Sequence, residues 1–234
     1  MPEPLKSSIG EWSDDQYCIR GIPLARLMVE KDFVSSIWFT WTGASPSESE
    51  RVILQACFVA CIDHGEEPPS AQAARIVASC GKPVADAVAA GMLTLGPRHG
   101  NAASAASRWM REAVAAHRSA TDVATAVLES RQRLPGIGHP EYDVDPRTTA
   151  LHQLAKAQAI ETSHFDFALE VSRLLSEQKG KPLPLNIDGA LGALLADLKA
   201  PEELADAIFL CARTVGLVAH ALEEAKSSVS YRRG

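Results

Sequence analysis

Basic clusters are missing from this 234-residue chain, whose 29 acidic and 23 basic side chains leave a formal net charge of −6. A nucleic-acid binder needs a cationic footprint for the phosphate backbone, so that class is excluded. Paired cysteines are missing too: Cys18, Cys57, Cys61, Cys80 and Cys211 are odd in number, form no CxxC, and mostly sit in apolar runs. They read as buried thiols of a reducing cytoplasm rather than a disulfide framework, and no His or Cys pair completes a zinc set with Cys57 and Cys61. Neither a P-loop nor a dinucleotide fingerprint occurs, since GIGHPE fails at the third glycine. The opening MPEPLKSSIGEWSDD carries acids and no apolar core, so it does not read as a signal peptide. No apolar stretch reaches the roughly 20 residues that span a bilayer. The expectation is a cytoplasmic protein with no metal, and with no nucleic acid or membrane among its partners.

Alternating β-branched segments are scarce, the best being Gln16–Arg20 as part of a small hairpin. What fills the chain instead is alanine- and leucine-rich helix punctuated by Gly and Pro, so the fold class is all-α. A first helix is expected from about Pro23 to Trp41, stopping at Gly43. Ser47 and Glu50 form a capping-box pattern that opens the next, which runs through ILQACFVACID. That stretch is apolar on nearly every face, which predicts a central buried helix. Further helices are expected over Ser70–Ser79, Pro83–Leu95, Ala102–His117, Ala120–Gln132, Arg147–Ala159, Phe165–Gln178, Asp188–Leu198 and Pro201–Glu224.

Three segments break this pattern by concentrating Gly, Pro and ionisable groups: GPRHGN (96–101), LPGIGHPEYDVDPR (134–147) and GKPLPLNID (180–188). Loops between rigid helices are where catalytic groups are usually presented. Each carries one group able to move a proton or polarise a carbonyl: His99, His139 and Asp188. Two histidines and a carboxylate on separate loops suggest general acid–base chemistry. On local sequence alone the favoured reading of Asp188 is a helix N-cap, and a lone histidine reads as surface or core.

These residues carry a resemblance. GMLTLGPRHGNA resembles the Gly-x-x-His-Gly loop of citrate synthases, and GIGHPEYDVDPR resembles their Gly-x-Gly-His followed by Asp-Pro-Arg. NIDGALG is similar to their Asn-Val-Asp segment, and IDHGEEPPSAQAARIVAS to their Asp-His segment before a helix with an Ala-Ala-Arg run. The likeness extends from about Tyr17 to Arg232 and is closest to the citryl-CoA lyase branch, including the C-terminal lyase module of ATP-citrate lyase. It implies a citrate synthase-like fold with a large domain, 1–101 plus 199–234, and a smaller inserted domain, 102–198. Citrate synthases are longer, chiefly at the N-terminus, so the chain is nearer to a minimal lyase module. Homodimers or higher homo-oligomers built on large-domain helices are also implied.

The resemblance further assigns roles. Asp188 matches the base that removes the acetyl methyl proton or, in cleavage, returns it. His99 matches the donor to the thioester oxygen as it becomes an enolate. His139 matches the group that polarises the oxaloacetate carbonyl or takes the citryl hydroxyl proton, and His64 one that binds the oxaloacetate portion. Arg147, Arg213 and Arg232 match carboxylate-binding arginines, Arg232 reaching across a dimer. Gly136, Ile137 and Gly138 would meet the adenine edge of CoA; Lys179 and Lys181 are candidates from this sequence itself, standing in for the family's basic residue at the CoA phosphates. His117, His152, His164 and His220 match no catalytic motif. The sequence departs from the family in two places. Pro140, Glu141 and Asp143 stand where a basic residue commonly faces CoA phosphates, and Asn101 replaces a small residue.

The activity so implied is reversible cleavage of citryl-CoA to acetyl-CoA and oxaloacetate. The alternatives are citrate synthase-like condensation of an acyl-CoA with oxaloacetate or another 2-oxoacid, and a catalytically silent CoA-binding or partner subunit. No cofactor is bound permanently; the CoA thioester is a substrate, and ATP is not used.

Overall fold

A computed structural model describes residues 7–227, so Arg232 lies outside the described residues. Contacts divide the chain into two compact units, one up to Gln55 and one from Ala56 onward. Eleven helices and three short strands occur among the described residues.

In the first unit, β1 (Gly10–Ser13), β2 (Gln16–Ile19) and β3 (Ile22–Pro23) form an antiparallel meander with Gly10 opposite Ile19 and Cys18 opposite Pro23. The expected hairpin is therefore present with a third strand added. The single helix expected over Pro23–Trp41 is instead two, α1 (Leu24–Glu30) and α2 (Phe33–Thr42). Asp32 causes the break: its carboxylate accepts from Ser35 N at 2.9 Å and Ser35 Oγ at 2.9 Å, capping a new helix start. Gly43, at φ +78°, ends α2 in the left-handed conformation that glycine adopts without strain. Arg20 reinforces that end by donating to the Thr40 and Trp41 carbonyls.

The capping box of α3 (Glu48–Cys61) is present in both halves, Ser47 N to Glu50 Oε2 at 2.7 Å and Glu50 N to Ser47 Oγ at 3.3 Å. The helix is less buried than its composition predicts. Ile53, Leu54, Cys57 and Cys61 are inaccessible, yet Val59 is 60% exposed. Its buried stripe follows the 3.6-residue period.

The second unit continues with α4 (Pro69–Ser79), α5 (Val84–Leu93), α6 (Ala103–Ala115), α7 (Ala120–Ser130), α8 (Pro146–Ala157), α9 (Ser163–Lys179), α10 (Ile187–Asp197) and α11 (Glu203–Ala225). The central buried helix is α10, in which every residue from Gly189 to Ala196 is buried. It packs on α6, α8, α9 and α11, and α11 packs in turn on α4, α5 and α6. Glycine makes the α10–α6 contact close: a Cβ on Gly192 would lie 2.6 Å from Ser107 N. Contrary to the sequence expectation, α11 is long and apolar enough by length and composition to cross a bilayer. The buried stripe running from Ala205 to Ala221 accounts for part of that composition by core packing within this unit. Of the cysteines, Cys18, Cys57 and Cys61 are buried, whereas Cys80 and Cys211 are exposed. Apolar neighbours in sequence did not bury them because one lies at a helix end and the other on the outer face of α11.

Candidate active site

Two of the three polar loops are bound together. Asn186 caps α10, its Oδ1 accepting from Gly189 N at 3.2 Å. Its Nδ2 donates to the Gly138 carbonyl at 2.7 Å, and its backbone N donates to the Gly136 carbonyl at 2.9 Å. Gly138 N completes the bracket by donating to Pro184 O at 2.7 Å. Gly136, at φ +82°, sits so close that a Cβ there would be 2.5 Å from Gly189 Cα. This bracket fixes His139 relative to Asp188. Asp188 is thus not the N-cap that local sequence suggests; Asn186 fills that role and leaves the Asp188 carboxylate unemployed.

The Asp188 carboxylate is the least satisfied acid of the site. Its Oδ1 is buried without a hydrogen-bond partner. Burial, assisted by the Asp206 charge, pushes its pKa up to about 6, against the pull of Arg147 and Arg213. The dipole at this helix start favours the ionised form, yet desolvation outweighs it. Arg213, on α11, is also buried; its Nε donates to Cys61 O at 3.2 Å, its guanidinium lies 4.9 Å from the Phe209 ring centroid, and its Nη1 has no partner. A buried guanidinium N–H without a partner is costly, and it suits the carboxylate of an anionic ligand.

Arg147 is held ready at the start of α8. Asp145 caps that helix and grips the guanidinium at two points, Nε to Oδ1 at 3.0 Å and Nη2 to Oδ2 at 2.7 Å. Burial works against the Arg147 charge, but Asp145 outweighs it and holds the pKa above the ordinary value. Two of five donors are used, which leaves the rest of the fork for a carboxylate.

The histidines differ in their surroundings. His99 sits in a tight turn closed by Gly96 N to His99 O at 2.9 Å and His99 N to Gly96 O at 2.8 Å. Its Nε2 lies 2.9 Å from Ser70 Oγ at the start of α4. Burial, then the Arg213 charge, lowers its pKa, so the ring is neutral at pH 7. Gly100 follows at φ +72°, where a Cβ would be 2.3 Å from the Phe209 ring, the same ring that lies against Arg213. His139 Nδ1 accepts from the Glu141 and Tyr142 backbone N–H groups, each at 3.1 Å. Those donors require a lone pair on Nδ1, so the proton is assigned to Nε2. Burial lowers this pKa as well. The neutral Nε2–H form suits polarisation of a carbonyl; it does not suit uptake of a hydroxyl proton at that nitrogen. His64 lies edge-on to His139 with ring centroids 5.4 Å apart, and Glu141 Oε2 is 3.6 Å from its Nε2.

His64, His99, His139, Arg147, Asp188 and Arg213 thus form one electrostatically connected cluster within the second unit. Gly136, Ile137 and Gly138 line its edge through the bracket, and Ile137 pairs with Leu185. Lys179 and Lys181 are exposed, on the stretch leading into Leu183–Asn186. His152 and His164 serve elsewhere, facing Asp166 and Asp197. Sequence reasoning missed Ser70, Asp145, Asn186 and the approach of Glu141 to His64. For Asp145 and Asn186 the signal was present, because each stands two residues before the group it serves.

The model for the citrate synthase C-terminal domain matches residues 16–233. The chain belongs to the citrate synthase family. Among solved structures of the family, the citryl-CoA lyase from Hydrogenobacter thermophilus is 38% identical with a TM-score of 0.89, covering 96% of this chain and 88% of that one. The ATP citrate lyase from Methanothrix soehngenii, solved with citrate and coenzyme A, is 26% identical with a TM-score of 0.91, covering 100% of this chain and 41% of that one. ATP-citrate synthase beta chain protein 1 of Arabidopsis thaliana is 25% identical over 244 residues, 95% of this chain. The chain spans 40% of the length of that curated relative. The all-α, citrate synthase-like fold implied by the motifs is the one observed.

Proposed function

We propose that this citrate synthase family member is a citryl-CoA lyase, cleaving citryl-CoA reversibly to acetyl-CoA and oxaloacetate. The observation that carries the reading is Asp188, whose buried Oδ1 has no hydrogen-bond partner and whose pKa is raised to about 6 against the pull of Arg147 and Arg213. An acid of that strength can hold its proton or release it near neutral pH, as reversible exchange with a carbon acid requires. Similarity to a citryl-CoA lyase along nearly its whole length supports the same choice.

In this reading Arg147 and Arg213 bind the carboxylates of the citryl group and His139 Nε2–H holds the oxygen that becomes the oxaloacetate carbonyl. His64, whose Nε2 lies 3.6 Å from Glu141 Oε2, takes the hydroxyl proton. The carbon–carbon bond breaks, its electrons pass to the thioester as an enolate, and His99 donates to the enolate oxygen. Asp188 then delivers its proton to the methylene carbon, giving acetyl-CoA. Gly136–Gly138 and Lys181 are assigned to CoA. Residues 102–198 would form the smaller lobe, contributing His139, Arg147 and Asp188, and the assembly would be a homodimer.

Purified protein given citryl-CoA is expected to release oxaloacetate, read by malate dehydrogenase-coupled NADH oxidation, with equimolar acetyl-CoA. His139→Ala and Asp188→Ala should each abolish release without changing the far-UV circular dichroism. Absence of release by the wild type refutes the reading. Free CoA thiol appearing from acetyl-CoA plus oxaloacetate would make it a condensing enzyme instead.

A further inference from the structure

His220 matched no motif, and the Ala-Ala-Arg run of α4 had no role; the structure joins them behind His64. His220, on α11, lies between a cation and an anion. Arg75 Nη1 is 3.3 Å from its Nδ1, and Asp63 Oδ1 is 2.9 Å from its Nε2. A guanidinium only donates, so Nδ1 is the acceptor and the ring proton sits on Nε2, directed at Asp63. The Asp63 carboxylate in turn takes the Gly65 N–H at 3.0 Å and the His64 N–H. Burial opposes its ionisation, but these donors and His220 outweigh it and hold its pKa below the usual range.

The far end of the same turn is tied to the same cation. Glu66 Oε2 lies 3.9 Å from Arg75 Nη1. Arg75 is itself fixed by Glu223 at 2.6 Å and by the buried Glu224 at 3.0 Å, both on α11. The backbone before His64 is held along one face of that helix. Arg213 Nε meets Cys61 O, and Gly216 admits Ile62 O so closely that a Cβ would stand 2.2 Å away. Positions 213, 216 and 220 follow the helical repeat and secure residues 61, 62 and 63 in order. Gly65, at φ +81°, has no side chain to fix the turn by packing, so the polar tether does this work.

We infer that His220 is a positioning residue for His64, backed by Arg75 and acting through Asp63 to set where the His64 ring meets the substrate. The inference rests on the proposed reading of His64 as a substrate-contacting group. Misplacement of a reacting group by about 1 Å costs roughly 100-fold, which sets the scale of the effect.

The test compares His220→Leu, which removes both hydrogen bonds, with His220→Gln, which can accept from Arg75 and donate to Asp63. His220→Leu is expected to lower kcat/KM for citryl-CoA about tenfold or more, and His220→Gln to restore it to within about threefold. In a His64→Ala background His220→Leu should cost less than about twofold, because its route to the substrate is gone. A parallel measurement needs no turnover: with ring-labelled histidine, the His64 resonance should shift in His220→Leu and stay near its wild-type position in His220→Gln. Asp63→Asn, which leaves Arg75 and its glutamates in place, should shift the same resonance and serves if His220→Leu does not fold. Equal losses with and without His64, or an unmoved His64 resonance in the folded variants, overturn the inference. A wild type without turnover refutes the lyase reading alone, and the resonance still decides the positioning role.

Discussion

At the scale of the residue, Asp188 costs the fold stability at the pH where its chemistry is useful. The unfolded carboxyl titrates near pH 4 and the folded one at about 6, so across that window the native state holds the proton more tightly. Stability therefore falls as pH rises from about 4 to about 6, and the full cost, about 3 kcal/mol for a shift of about two units, is present above it. Asp188→Asn keeps the shape and removes the charge. It should raise the melting temperature at pH 8 and leave it nearly unchanged at pH 4, a contrast that thermal scans at the two pH values read directly. The same carboxyl sets the direction of the rate profile. Cleavage needs Asp188 protonated, so its kcat should fall as pH rises through about 6; condensation needs it ionised and should show the opposite limb. No stability gain at pH 8 would mean that the carboxyl is better solvated than its burial indicates.

At the scale of the element, the decisive object is the bracket between residues 136–139 and the start of α10. Asn186 performs three tasks within it: a helix cap, a side-chain bond to Gly138 O and a backbone bond to Gly136 O. Asn186→Ala removes the first two. Loss of a cap costs about 1 kcal/mol and the lost loop bond a similar amount, so chemical denaturation should show a deficit of about 2 kcal/mol. Activity should fall further than stability, since His139 and Asp188 lose their common support. A kcat within about twofold of wild type would show that the glycine packing alone aligns them. Sequence legibility divides along the same line. Local signals were readable: the Ser47–Glu50 capping box, the stop at Gly43 and the starts of the later helices each depend on a few adjacent residues. The Asp32 break was local too, but it lay inside a strong apolar run that outweighed it in the reading. What depends on distant partners was not readable, namely which helix is central, which N–H groups fix the His139 tautomer, and that His220 reaches Asp63. The site residues themselves stood out as proton-moving groups in glycine- and proline-rich loops, while their supports, Ser70 and Asn186, are chemically ordinary and are distinguished only by what they touch.

At the scale of the whole molecule, two surplus features of the composition need a place: the excess of acid and the apolarity of α11. In a chain of net charge −6 the anionic substrates of the proposed reaction need local positive charge, which the half-buried Arg147 and the buried Arg213 supply beside an acid that is only half ionised near pH 6. The apolarity of α11 is only partly used by the core. Its buried face carries Ile208, Phe209, Leu217 and Arg213, whereas Cys211, Val215, Ala219 and Leu222 recur at helical spacing on the exposed side. An exposed apolar stripe on a core helix is the expected signature of an association surface, and a second copy of the chain is the partner that the homodimer proposal supplies. A charge on that stripe leaves the core face intact but must be desolvated when two copies meet. Light scattering is therefore expected to give a dimer mass for the wild type and a monomer mass for Val215→Glu combined with Leu222→Glu, with an unchanged far-UV spectrum. A double variant that remains dimeric would place the interface elsewhere, and a wild type that is monomeric at working concentration would remove the homodimer from the proposal.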